Sequence, residues 1–168
     1  MSAIANLLGY QIVWLIAVVG AGRGLVWPAL AGLAVFAAWQ LARSQAPRSD
    51  LKLCAVALVL GVLLDGALAH SGLLRYAAPQ PAVPAGGAPL WILALWGAFA
   101  LTLNHSLAWL RRRRLAATLL GVVGGPLAYL AAARLSQAVV FSAAPAAAIV
   151  ALAAGWGVAL LLLVRVST

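Results

Sequence analysis

Asp50 and Asp65 are the only carboxylates in this 168-residue chain, and His70 and His105 its only imidazoles. Any acid–base chemistry must therefore pass through very few groups. Asp65 lies within a long apolar run, about 20 Å along a helix from its basic end. It shares a four-residue stripe with Ala57, Gly61 and Ala69, so it should face other helices rather than lipid. Tyr129 comes to a similar height on a later run, and Arg23, Arg75 and Arg134 lie just above. A buried acid there has three readings: a structural hydrogen-bond or ion-pair residue, a general base or ligand contact, or a proton-carrying site. A second polar group gathers Asn6, Tyr10 and Gln11 on the first run with Asn104, His105 and Ser106 on the fourth. Asn6 and Tyr10, four apart, share a helix face. Asn104 and His105 diverge by about 100° on a continuous helix, so they need not enter one pocket. His105, about 9 Å from a basic turn, is either a satisfied packing residue or a catalytic or substrate-binding group. His70 belongs to the outer interface.

Most familiar constellations are missing. The chain has no His-x-x-x-His and no paired acids, so neither a metal nor a cofactor is expected. Asp50 reads as a turn residue, which leaves two-carboxylate hydrolysis without candidates. There is no Gly-x-Ser-x-Gly elbow and no phosphate loop. Ser106 follows His105 directly, which is not a nucleophile–base geometry on a helix. Cys54 is the lone cysteine and can form no intrachain disulfide.

The elements that would position these groups follow from composition. Hydrophobic residues make up 66% of the chain and charged residues 8%, far from the balance of a soluble domain. The fold class read from this is an all-α polytopic transmembrane bundle, a single domain of six spans: Ala5–Ala21, Leu25–Ala42, Leu51–Ala69, Leu90–Leu110, Leu115–Ala133 and Ala144–Val164. No basic residue precedes Arg23, so the first run reads as a retained span. The net charge of +9 comes mostly from short turns and speaks for topology and anionic headgroups, not nucleic acid. Arg43, Arg48, Lys52, the run Arg111–Arg114 and Arg165 fall on one side, and Arg23, Arg75 and Arg134 on the other. The positive-inside rule then puts both termini in the cytoplasm. The segment between Ser71 and Ala88 holds Pro79, Pro81 and Pro84 and reads as an extended outer connection without strands or helices.

Small residues mark the packing faces. Ala147, Ala151, Gly155 and Ala159 recur at four-residue spacing on span six, and Gly121-x-x-x-Gly125 on span five runs directly into Pro126. That Gly-Gly-Pro step either serves helix contact alone or kinks the span and opens a cavity beside Pro126. Trp27 and Trp91 suit the outer interface, and Trp39 and Trp109 the inner one. Trp14, Trp96 and Trp156 fall deeper, where their indoles need partners or line a cavity.

Four stretches carry a resemblance: NLLGYQIVWLIAVVGAG (Asn6–Gly22), DLKLCAVALVLGVLLDGALAHSGLLRY (Asp50–Tyr76), PLWILALWGAFALTLNHSLAWL (Pro89–Leu110) and LLGVVGGPLAYLAAARL (Leu119–Leu135). Together they resemble an uncharacterised family, a domain of unknown function, of small bacterial inner-membrane proteins. The match covers nearly the whole chain, with Asp65, Asn104, Ser106, Gly125, Pro126 and Tyr129 in order. The resemblance implies no activity and no residue roles. It implies genomic company with cyclopropane-fatty-acid-synthase-like and other lipid-modifying enzymes, and hence lipid handling. The leading expectation is binding or accessory handling of a lipid or other hydrophobic molecule in the bacterial inner membrane, with Asn6, Tyr10, Gln11, Asp65, Trp96, Asn104, His105, Pro126 and Tyr129 as candidate contacts. The alternatives are an intramembrane lipid-modifying enzyme using Asp65 or His105, a structural subunit, and a small oligomeric transporter. Membrane lipids are the expected partners, with a second copy or another membrane protein as further options.

Overall fold

Proline marks three of the helix starts. Pro28, Pro47 and Pro145 each sit in a first helical turn, where a missing N–H costs nothing and the fixed φ suits the helix. The computed structural model describes residues 2–167. Its six helices are α1 (Ala3–Gly22), α2 (Trp27–Leu41), α3 (Pro47–His70), α4 (Leu90–Ala100), α5 (Arg114–Ser136) and α6 (Pro145–Val166). Four of them, α1, α3, α5 and α6, are long and apolar enough to cross a membrane, whereas α2 and α4 are shorter. Large apolar side chains such as Ile12, Val35, Leu115 and Val150 stand exposed around the bundle. A surface of this kind marks contact with a membrane or a protein partner, and the four long apolar helices suit the former.

Helix α4 lies at the centre, against α1, α2 and α3, while α5 runs along α6, α6 also meets α3, and α1 pairs with α2. Of its 11 residues, Trp91, Ile92, Leu93, Ala94, Trp96, Gly97, Ala98 and Ala100 are buried. A helix that is apolar on every face belongs in that position.

The structure corrects the expected secondary structure in two places. The fourth apolar run is not one helix. Helix α4 stops at Ala100, turns follow through Leu107, and a 3-10 helix covers Ala108–Arg112. The cause is the polar cluster in this stretch. The Thr102 hydroxyl donates to the carbonyl of Phe99, and the Asn6 amide donates to that of Leu101. Such side-chain bonds compete with the helical ladder. Non-helical backbone is tolerated at membrane depth only when protein covers it, and Leu101, Thr102 and Leu103 are buried.

The second correction concerns the outer connection, which does form strands. β1 (Leu74–Tyr76) pairs antiparallel with β4 (Val139–Phe141), with Tyr76 opposite Val139. β2 (Ala82–Val83) pairs with β3 (Ala88–Pro89) around Gly86, whose φ is +78°. The prolines lie between or at the ends of these short pairs, where no ladder N–H is required of them. The β1–β4 pair ties the end of α3 to the α5–α6 connection.

Helix α5 stays helical from Arg114 to Ser136 with Pro126 inside it. Helix α6 finds its partners within the chain. A Cβ on Gly155 would meet Leu64 of α3, and one on Gly157 would meet Val122 of α5.

Candidate functional site

A cavity of about 460 Å3 lies between α1, α4, α5 and α6. Its floor includes Trp91, Trp96, Tyr129 and Leu160, all buried, and Leu7, Gln11, Leu120 and Leu127 at its edge are exposed. It therefore opens sideways between α1 and α5, toward the surface that would face lipid. The volume and the mainly apolar lining match ordinary ligand sites, which run to roughly 300–1,000 Å3. A separate groove between α1 and α2, lined by Gly9 and Gly32, is apolar and more open.

Behind the floor sits Asp65, fully buried. Three donors from three elements converge on it. The Tyr129 hydroxyl of α5 and the Tyr76 hydroxyl of β1 donate to Oδ1, at 2.5 and 2.7 Å, and the Trp96 indole N–H of α4 donates to Oδ2 at 2.7 Å. Burial, then the neighbouring Asp65 carboxylate, push the Tyr76 phenol well above its usual range, so it stays protonated and serves as a donor. None of Arg23, Arg75 and Arg134 pairs with Asp65 among the described residues; all three are exposed. The expected arginine reach is thus replaced by neutral donors, of which Tyr76 was not foreseen.

Asp65 does not itself line the cavity, whereas Trp96 and Tyr129 do. Its role in this arrangement is to fix them. The held Trp96 ring stacks on Trp156 of α6 with centroids 4.1 Å apart and planes within 9°. The glycines make room for this. A Cβ on Gly61 would come within 2.5 Å of Trp96, and one on Gly125 within 2.5 Å of Trp156.

The inner polar group splits into two networks. In the first, buried Asn6 donates to Gln40 Oε1 at 2.8 Å and to the Leu101 carbonyl at 3.1 Å, and its Oδ1 accepts from the Ser106 hydroxyl at 2.6 Å. This network pins the broken segment after α4 to α1 and α2. In the second, Asp50 accepts from Asn104 Nδ2 at 2.8 Å and from the Ser44 hydroxyl, with His105 Nε2 3.0 Å away. Asp50 is a correction. It is not a solvated turn residue but fully buried in the first turn of α3, where the helix N-terminus favours an anion. Asn104 and His105 converge on it because the backbone between them is not helical, so the divergence expected for a continuous helix does not apply. The His105 side chain keeps 18% of its surface exposed.

Of the nine candidate contacts, Tyr10, Gln11, Trp96 and Tyr129 line the cavity; Asn6, Asp65, Asn104, His105 and Pro126 do not. The space expected beside Pro126 is instead framed by its neighbours Gly124, Gly125, Leu127 and Ala128. Trp91, assigned from sequence to the outer interface, is fully buried and packs edge-on to Tyr76 at 6.0 Å. Trp14, Phe99 and Trp156 join the lining. Of these, Trp14 and Trp156 carried a signal, the depth of a tryptophan within its run. Phe99 carried none.

Among families of known proteins, the one described as "Protein of unknown function (DUF2878)" matches residues 3–162, nearly the whole chain. The chain belongs to that family. No curated protein and no solved structure matches it.

Proposed function

We propose that this chain is a bacterial inner-membrane protein that binds or hands on a lipid or other hydrophobic molecule, taken sideways from the bilayer into the cavity between α1 and α5. One observation carries the reading: the cavity is enclosed on an aromatic floor, opens toward the lipid-facing surface, and is lined by neither candidate acid–base group. Asp65 stands behind its wall, and His105 turns toward α3. A site for chemistry needs such a group within reach of the bound molecule; a site for binding needs shape, apolar surface and a few polar contacts. The small-residue face of α6, which would favour a structural subunit, meets Leu64 of α3 at Gly155 and is buried at Ala159, leaving Ala147 exposed.

Native mass spectrometry of the protein released from gentle detergent tests this reading. Wild type should carry a lipid-sized adduct. Gly124→Phe should not. Gly124 lines the cavity, and a Cβ there meets only Leu120 Cδ1, at 3.6 Å, so a side chain can be rooted there without a clash and a ring on it should fill the cavity. Equal adducts on both proteins would sink the reading.

A second reading, a lipid-modifying enzyme, draws on the His105–Asp50 pair, since a buried carboxylate orienting an imidazole is how general bases are built. Lipid profiles unchanged by gene deletion, or fully restored by His105→Ala, would count against it.

For topology, six crossings with both termini cytoplasmic agree with eight basic residues on the inner side against three on the outer. The four long helices supply four crossings; α2, and α4 with its continuation through Arg112, supply the others. Alkaline phosphatase fused after Ala85 should be active and the same enzyme fused after Ser167 inactive. The reverse pattern would invert the protein in the membrane.

A further inference from the structure

The cavity lining combines aliphatic side chains, Leu7, Leu95, Leu120 and Leu160 among them, with more than half of the chain's aromatic rings. Of the chain's 7 Trp, 3 Tyr and 3 Phe, the lining takes four Trp, two Tyr and one Phe. The rings form a connected series. Tyr10 meets Phe99 edge-on at 5.8 Å, Phe99 meets Trp156 edge-on at 5.5 Å, and Trp156 stacks on Trp96 at 4.1 Å. The far end is anchored, because the Trp96 N–H donates to the buried Asp65 carboxylate. A saturated chain would be served by the aliphatic part of this lining alone. A rigid aromatic wall gains most against another flat π-system, through offset or edge contacts beyond simple area burial.

The polar groups point the same way. The Tyr10 hydroxyl and the Gln11 side-chain amide, both on the cavity lining, make no hydrogen bond among the described residues, whereas Asn6 nearby is bonded through both its amide nitrogen and its oxygen. An unpaired hydroxyl in apolar surroundings is costly, and Tyr10 is well placed to donate to an oxygen brought by a ligand. The Tyr129 hydroxyl, whose hydrogen is engaged in the bond to Asp65, can only accept a further bond. The lateral opening past Leu120 and Leu127 leaves an apolar exit for a tail.

Resting on the reading of this cavity as a ligand site, we propose that its ligand is a flat, conjugated ring bearing an oxygen acceptor on an apolar tail, of the chemical class of an alkylated benzoquinone, in preference to a saturated acyl chain. Binding alone is inferred. The ring lies along the Phe99–Trp156 wall, an oxygen accepts from Tyr10, and the tail leaves between α1 and α5.

The test is a titration of the full chain in nanodiscs of dimyristoyl phosphatidylcholine with decylubiquinone, read by tryptophan fluorescence. Gly124→Phe corrects for quenching of lipid-facing Trp27 and Trp109. Wild type should show saturable quenching that Gly124→Phe weakens at least tenfold. Tyr10→Phe should weaken it about two- to tenfold, the range for one hydrogen bond, with the same protein melting temperature. Methyl decanoate, which has the tail without the ring, should displace the quinone poorly. If methyl decanoate competes as well as the quinone itself, or if Tyr10→Phe binds as wild type does, the proposed ligand class is overturned while the cavity reading stands. If wild type and Gly124→Phe quench alike and methyl decanoate changes neither, the cavity reading itself fails.

Discussion

Asp65→Ala should lower the stability of the folded bundle by about 2–5 kcal/mol and, on the lipid-binding proposal, abolish the lipid-sized adduct. The magnitude follows from what the carboxylate holds. Removing it strands the Tyr76, Trp96 and Tyr129 donors, all buried, at one stroke. In water-soluble proteins each stranded donor costs about 1–3 kcal/mol. Between membrane helices, measured couplings average about 0.6 and reach about 1.7 kcal/mol, because the unfolded chain also finds partners in the bilayer. Three bonds at the membrane average give about the lower figure, and three at the membrane maximum about the higher one. Asp65→Asn should fall between Asp65→Ala and wild type, since its amide keeps one acceptor but turns N–H groups toward other donors.

Thermal melting in detergent, followed by tryptophan fluorescence, measures the loss. A double-mutant cycle then separates positioning from packing. Tyr129→Phe should destabilise wild type by about 0.6–1.7 kcal/mol and have little further effect on Asp65→Ala, because its hydrogen-bond partner is already gone. Additive losses would mean that the two side chains act independently. Asp65→Ala melting together with wild type would remove the carboxylate from any role in holding the cavity wall. Asp65→Asn also bears on the alternative roles for this acid. A variant that is stable and keeps its ligand, yet fails to restore a lipid phenotype in cells, would return Asp65 to the list of reacting groups.

The outer half of this arrangement was legible in the sequence because it depends on one helical period. The stripe Ala57, Gly61, Asp65 turns the acid inward, and helical rise brings Tyr129 to its height. Trp96 announced itself by depth. Tyr76 was hidden because its approach depends on β1 and β4, two three-residue strands more than sixty positions apart, too short for any alternation to register. The inner half was misread for a related reason. Asn104 and His105 diverge only if the helix continues, and Asp50 is a turn residue only if α3 begins after it. The cluster Thr102, Asn104, His105 and Ser106 was the available sign that the helix would break, and Pro47 three residues before Asp50 was the sign of where α3 starts. The cavity required knowing which helices are neighbours. Apolar runs that are hydrophobic all round leave that open, since every face can meet either protein or lipid.

The glycines of α5 separate the stability of the bundle from the shape of its cavity, and Gly121→Ala should show it most clearly. A Cβ at Gly121 would lie 2.3 Å from the Trp156 carbonyl oxygen and 2.9 Å from the Gly157 nitrogen. Those are backbone atoms of α6 and cannot swing aside, so the two helices must part along their seam. Overpacking of this kind costs about 1–3 kcal/mol, occasionally more, and loosens the contact through which small residues hold membrane helices together. At Gly125 the obstacle differs. The added carbon meets Cγ, Cδ1 and Cβ of the Trp156 side chain at 2.5–2.7 Å; Cγ and Cδ1 can shift by side-chain rotation while Cβ moves only with α6, so the strain is relieved in part. Gly125→Ala should therefore melt closer to wild type but disturb the Trp96–Trp156 stack, lowering the near-ultraviolet circular dichroism of the tryptophans and weakening ligand retention. Gly124→Ala, with only Leu120 Cδ1 at 3.6 Å, is the control and should change stability by no more than about 0.5 kcal/mol. The expected order of melting temperatures is Gly121→Ala lowest, then Gly125→Ala, then Gly124→Ala level with wild type. If Gly121→Ala melted with the control, the close approach of α5 and α6 would not be what holds α6 in place. The cavity wall that α6 supplies through Trp156 would then need another support.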